Sequence, residues 1–138
     1  MRRFYLPFLL SLSLLFFGTQ SVKSQDRPSE IYFCFNSLSE LKSALEVDAI
    51  KTLDFKIEGL RSDESARAME SRFLSYGERV IDFNIENAKE GAVRKAEMTL
   101  AADVRVSHFS KILITYGVNE VKIKNQIIQT ADLNNQEE

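Results

Sequence analysis

Four side chains in this 138-residue sequence have the type and setting to do chemistry: Ser62, Ser65, Cys34 and His108. Ser62 and Ser65 stand three residues apart after Gly59, where a strand pattern gives way to a helix pattern. Soft metal ions such as monovalent copper and zinc select thiolates. Two hydroxyls are protonated near neutral pH and ligate soft ions poorly. The reading for Ser62 is therefore an N-cap, with Asp63 and Glu64 favoured at the positive helix end.

Cys34 is the only cysteine, so an internal disulfide is excluded. It could serve as a lone thiolate ligand or an intermolecular disulfide partner. The alternation in Tyr32-Phe33-Cys34-Phe35 sets it on the face of Tyr32, opposite Phe33 and Phe35. Free cysteine packs as a small hydrophobe, and a buried Cys34 is expected. His108 is the only histidine, and its helical neighbours Lys111 and Ile112 offer no second ligand. It is expected as an exposed first-turn residue. Ser62, His108 and Asp63 make a triad on paper, but triads are recognised by geometry, and nothing in the spacing joins these three. No phosphate loop, nucleophile elbow, HExxH or CxxC is present. The sequence thus assigns no catalytic residue and no cofactor.

The elements that must position these residues begin after a leader. Arg2 and Arg3 precede an apolar run from Leu6 to Gly18, too short to span a bilayer as a helix. Val22 and Ser24 satisfy the small-residue cleavage rule, so residues 1–24 read as a signal peptide cut before Gln25, with a cut after Gln20 as the alternative. The expected location is the periplasm or the cell exterior, with no stable membrane anchor after cleavage. The remaining 114 residues suit one domain. Loss of Arg2, Arg3 and Lys23 leaves 15 basic residues against 20 acidic ones, a formal charge of −5. That excess argues against nucleic acid as a partner.

Residues 25–49 read as a βα extension: Ile31 to Phe35 is β-rich, and Ser37-Leu38-Ser39-Glu40 is a capping box opening a short helix. Over residues 50–129 the pattern is β-α-β-β-α-β. Leu53, Phe55 and Ile57 alternate, with Lys51, Asp54 and Lys56 breaking up the other face. A helix from Ser62 carries Ala66, Met69 and Phe73 on one stripe and ends before Gly77. Ile81, Phe83 and Ile85 alternate, then Ala96, Met98 and Leu100, as the two arms of a hairpin. A helix from Ser107 carries Phe109, Ile112 and Leu113. One strand is expected over 119–128, and residues 130–138 read as a frayed polar tail. This order predicts an α+β, ferredoxin-like βαββαβ sandwich. Its four-stranded antiparallel sheet would have both helices on one face, plus the N-terminal βα unit.

The run Phe55-Lys56-Ile57-Glu58-Gly59 followed by Ser62 and Ser65 resembles the opening of heavy-metal-associated (HMA-type) domains, Phe-x-Ile-x-Gly-Met-x-Cys-x-x-Cys. Downstream, Val106-Ser107 through Leu113 and Tyr116-Gly117 resemble that family's second helix and closing turn, so the likeness covers about residues 52–124. It implies a ferredoxin-like fold with a metal motif at the helix start, here degenerate because Ser62 and Ser65 replace both cysteines. The expected function is an exported, non-catalytic interaction module whose partner is another protein, with no metal. The alternative is an extracytoplasmic metal-handling protein that uses Cys34, His108 or carboxylates. Phe33, Phe35, Val80 and Ile128 are expected to give the second sheet face an apolar character that a partner would cover.

Overall fold

The computed structural model describes residues 31–89 and 91–136, so the expected leader lies outside the described residues. Among the described residues six strands and three helices follow one another. They are β1 (Tyr32–Phe35), α1 (Leu38–Glu46), β2 (Lys51–Glu58), α2 (Asp63–Leu74), β3 (Val80–Ile85), β4 (Arg94–Leu100), α3 (Val106–Thr115), β5 (Glu120–Ile123) and β6 (Gln126–Gln129). A 3-10 turn over Thr130–Asp132 follows β6.

The strands form one sheet in the order β3-β4-β2-β1-β5-β6. The α+β class holds, but the four-stranded antiparallel sheet becomes a six-stranded mixed one. The reason is β1. It is neither an edge strand nor a cover for the second face: it wedges between β2, to which it is antiparallel, and β5, to which it is parallel. Phe33 is thereby set beside both Ile57 and Val121. A strand buried on one face and flanked on both sides satisfies all its backbone groups within the ladder.

The expected strand over 119–128 is a hairpin. Lys124 and Asn125 both take positive φ, 56° and 80°, and turn the chain in two residues between β5 and β6. Left-handed backbone at both turn positions matches the right-handed strand twist. A bulge between Val80 and Asp82 shifts the alternation of β3. Val80 is buried as a result, while Ile81, expected inward, is 47% exposed.

All three helices contribute to a single core cluster with the inward strand residues. Leu41 and Leu45 come from α1, Ala66 and Phe73 from α2, Phe109 and Ile112 from α3. Phe33 is its hub: its ring lies 4.9 Å from Phe55, 5.7 Å from Phe73 and 6.1 Å from Phe83. Such aromatic pairs add to the burial gain of each ring. The expected frayed tail is docked in part. Thr130 Oγ1 donates to Val118 O at 2.8 Å, Ser110 Oγ donates to Thr130 O at 2.7 Å, and Leu133 is fully buried.

Lys51 was expected outward and is buried instead, in phase with Leu53, Phe55 and Ile57. Its three N–H groups are shared among four backbone carbonyls: Leu45 at 2.9 Å, Val47 at 2.7 Å, Val104 at 2.8 Å and Ala102 at 3.2 Å. These belong to the end of α1 and the β4–α3 connection. One cation thus ties two loops at the same end of the sheet and satisfies acceptors that burial would otherwise strand.

Candidate functional site

Among the described residues the helices lie on one side of the sheet and leave the other face uncovered, and its chemistry is set by alternate residues of each strand. It is mostly polar and charged, with Tyr32 and the exposed Ile127 among its residues. Phe33, Phe35 and Val80 do not face it; they are buried under the helices, and Ile128 packs partly against the core. The apolar second face is therefore corrected: these residues share the phase of Ile57 and Val121, and that phase is the helix-covered one.

Cross-strand register arranges the open face in rows. Lys95 of β4 pairs with Lys56 of β2, Lys56 with Cys34 of β1, and Cys34 with Lys122 of β5. One row therefore holds three ammonium groups around the thiol. Two residues along the strands, Asp54 pairs with Glu97, and Glu97 with Asn84 of β3. On the opposite side of the lysine row, Tyr32 pairs with Glu58, and Glu120 follows on β5. The face is striped acid, base, acid.

The stripes differ in how they are held. Lys122 Nζ lies 2.6 Å from Glu58 Oε1 and 4.7 Å from the centre of the Tyr32 ring. The hydrogen bond from Lys122 holds the Glu58 carboxyl below its ordinary range and raises the Lys122 ammonium above its own. Asp54, Lys56, Lys95 and Glu97 are all exposed, and among the described residues none has an ion-pair partner. A shallow depression of about 310 Å3 lies among Cys34, Asn36, Asp54, Lys56 and Lys95. A second, of about 330 Å3, adjoins it between Asn84, Glu86, Lys95 and Glu97.

Cys34 was expected buried. It is half-buried and belongs to the open face, with Sγ 3.7 Å from Tyr32 O. Burial, then the charge and hydrogen bonding of Glu58, push its thiol up to about 11, with Lys122 pulling the other way. A thiol so held is protonated at neutral pH, and the thiolate is the form that ligates and attacks. Among the described residues no group of three or more His, Cys, Asp or Glu side chains converges on one point.

Ser62 and Ser65 do come together. The Ser62 side chain caps α2 by accepting from Ser65 N at 3.1 Å, and its hydroxyl donates to Ser65 Oγ at 3.0 Å. Asp63 is held beside them by Arg94, fully buried, whose Nη1 lies 2.6 Å away. That bond, followed by one from Ala88 N, holds the Asp63 carboxyl below its usual range. His108 caps the other end of the molecule: its Nδ1 accepts from Arg105 N at 3.5 Å in the first turn of α3. Ser62 follows the end of β2 and His108 follows the end of β4, which are antiparallel. The paper triad is thus split across the sheet's length, about 20 Å for seven paired residues.

The lysine row, Lys51 and Arg94 were missed by reading motifs. Lys51 had a signal in its phase with Leu53, Phe55 and Ile57. The row had none, because it exists only across strands. Among the described residues no helix is long and apolar enough to cross a membrane. No family model, curated protein or solved structure matches this chain.

Proposed function

We propose that this is an exported, non-catalytic binding module that engages another protein through the open face of its sheet. The scaffold is a split βαβ unit of HMA-like type into which β1 has been inserted. What supports the scaffold is the strand order: with β1 and β6 set aside, β3-β4-β2-β5 remains, the order of a ferredoxin-like sheet. The pair of hydroxyls 3.0 Å apart at the tip of α2 stands where that family's thiolates would sit.

The observation that carries the binding reading is the pairing of like charges, Lys56 with Lys95 and Asp54 with Glu97. Like charges directly opposite in a sheet are destabilising. A counter-charged surface converts that penalty into complementarity, which gives orientation and rate to an encounter. The dispersal of Ser62, Cys34 and His108, with Cys34 protonated, supports the non-catalytic part of the reading.

Crosslinking with an amine-reactive reagent in cells that make the protein, followed by peptide mapping, tests it. Crosslinks to another protein should map to Lys56, Lys95 and Lys122, and should fall several-fold in Lys56→Glu/Lys95→Glu. Crosslinks confined to lysines of the helical side, undisturbed by that variant, would defeat the proposal.

A further inference from the structure

We infer that the open face is self-complementary and that the partner it fits is a second copy of this chain. This rests on the binding reading above and names its occupant. Two sheets meeting face to face with two-fold symmetry have two simple choices of axis in the plane between them. An axis along the strands lays the lysine row of one copy on the lysine row of the other, which charge forbids. An axis across the strands, midway between the Lys56–Lys95 row and the Asp54–Glu97 row, exchanges the rows. Each strand then faces its own copy: Lys56 meets Asp54 of the second copy, and Lys95 meets Glu97 of the second copy. The reciprocal pairs follow from the symmetry of an isologous contact. Four ion pairs form from charges that have no ion-pair partner among the described residues.

Strand position favours this contact. Twist lets two packed sheets touch closely only near their middle. The middle strands are β2 and β1, flanked by β4 and β5, and the four charges belong to β2 and its neighbour β4. Strands of four to eight residues about 4.8 Å apart give a face on the order of 500 Å2 in plan. Counted on both copies that is about 1,000 Å2 at most, below the roughly 1,200 Å2 of stable specific interfaces, where associations are weak. The dimer is therefore a weak one, held by charge and sensitive to salt.

Sedimentation velocity on the protein as purified from cells that make it reads this directly, taken to about 1 mM. A dimer is expected at low salt, weakened roughly tenfold or more in about 0.5 M NaCl. Lys56→Glu/Lys95→Glu and Asp54→Lys/Glu97→Lys should each be monomeric, with circular dichroism and melting curves confirming that both are folded. Their equimolar mixture should form a heterodimer. The register is tested by exchanging all four charges in one chain, Asp54→Lys, Lys56→Asp, Lys95→Glu and Glu97→Lys. That variant should pair with itself and not with the original chain.

A protein monomeric throughout the range overturns the inference, as does a dimer indifferent to both double variants. Free mixing of the four-charge variant with the original chain overturns the assigned register. If the chain is monomeric while its crosslinks to a different protein still depend on Lys56 and Lys95, the inference falls and the broader binding reading stands.

Discussion

Nη1 of Arg94 lies 2.6 Å from Oδ1 of Asp63, which joins a fully buried guanidinium in β4 to the half-exposed first residue of α2. The same guanidinium donates to Glu86 O at 3.2 Å and Ala88 O at 3.4 Å. Its Nε has no partner among the described residues. One side chain thus holds the β3–β4 connection and the start of α2 together.

Removing this bridge should loosen the α2 tip and destabilise the whole. Arg94→Leu is expected to cost roughly 1–3 kcal/mol in urea unfolding at neutral pH, since the carbonyls of Glu86 and Ala88 lose their buried donor. Asp63→Asn should reduce the acid sensitivity of the protein. The folded Asp63 carboxyl titrates below its ordinary 3.8. Its contribution is therefore present above that value and disappears as pH falls through the lower folded value. Unfolding curves between pH 5 and pH 2 should show a shallower acid loss in the variant.

Lys51 makes a different kind of prediction, because its partners are neutral carbonyls. Lys51→Met keeps the aliphatic stem and leaves the carbonyls of Leu45, Val47, Ala102 and Val104 without their donor. A loss of roughly 2–4 kcal/mol is expected from stranded buried acceptors. Hydrogen exchange should quicken around residues 45–49 and 101–105 before it does elsewhere. An unchanged melting temperature would show that water replaces the ammonium.

The hydroxyl pair at the tip of α2 can be converted. Ser62→Cys/Ser65→Cys would place two sulfurs at an exposed helix N-terminus, a setting that lowers thiol pKa and favours thiolate. Equilibrium dialysis should show about one monovalent copper ion per double variant and no stoichiometric uptake by the original chain. Tight uptake by the original chain would refute the degenerate-site reading. Failure of the double variant would mean that Arg94 and Asp63 hold the loop in a shape metal cannot use.

Cys34 should be a slow thiol. Its folded pKa is raised to about 11, so the protonated form dominates below that pH. Alkylation by iodoacetamide should be slow at pH 8 and rise towards pH 11, later than an unperturbed cysteine near 8.5. Glu58→Gln removes the carboxylate that helps raise the thiol, and should shift this profile to lower pH. A rate already saturated at pH 9 would contradict the placement of Cys34 beside Glu58.

Local pattern carried most of the elements. The capping serines of α1 and α2, the alternation of β2 and β4, and the apolar stripe of α3 are all nearest-neighbour signals. The hairpin between β5 and β6 was hidden because its turn is Lys124-Asn125, without the glycine that advertises a two-residue turn. The insertion of β1 was hidden for another reason: Ile31 to Phe35 reads identically at an edge or in the middle, since only long-range pairing tells them apart. For the site, the type and spacing of Ser62 and Ser65 were legible, whereas the lysine row required knowing which residues of β4, β2, β1 and β5 share a register.

The pairing of Phe33 with Val121 links positions 88 residues apart. A ribosome adding about 5–20 residues per second needs roughly 4–18 s to bridge them. Throughout that interval the nascent chain displays Phe33 and Phe35 with no β5 to clasp them, so the middle of the sheet is among the last parts to close. Slow closure of this kind leaves a sticky, unfinished chain available to holding chaperones, and the last strands to emerge act as the latch.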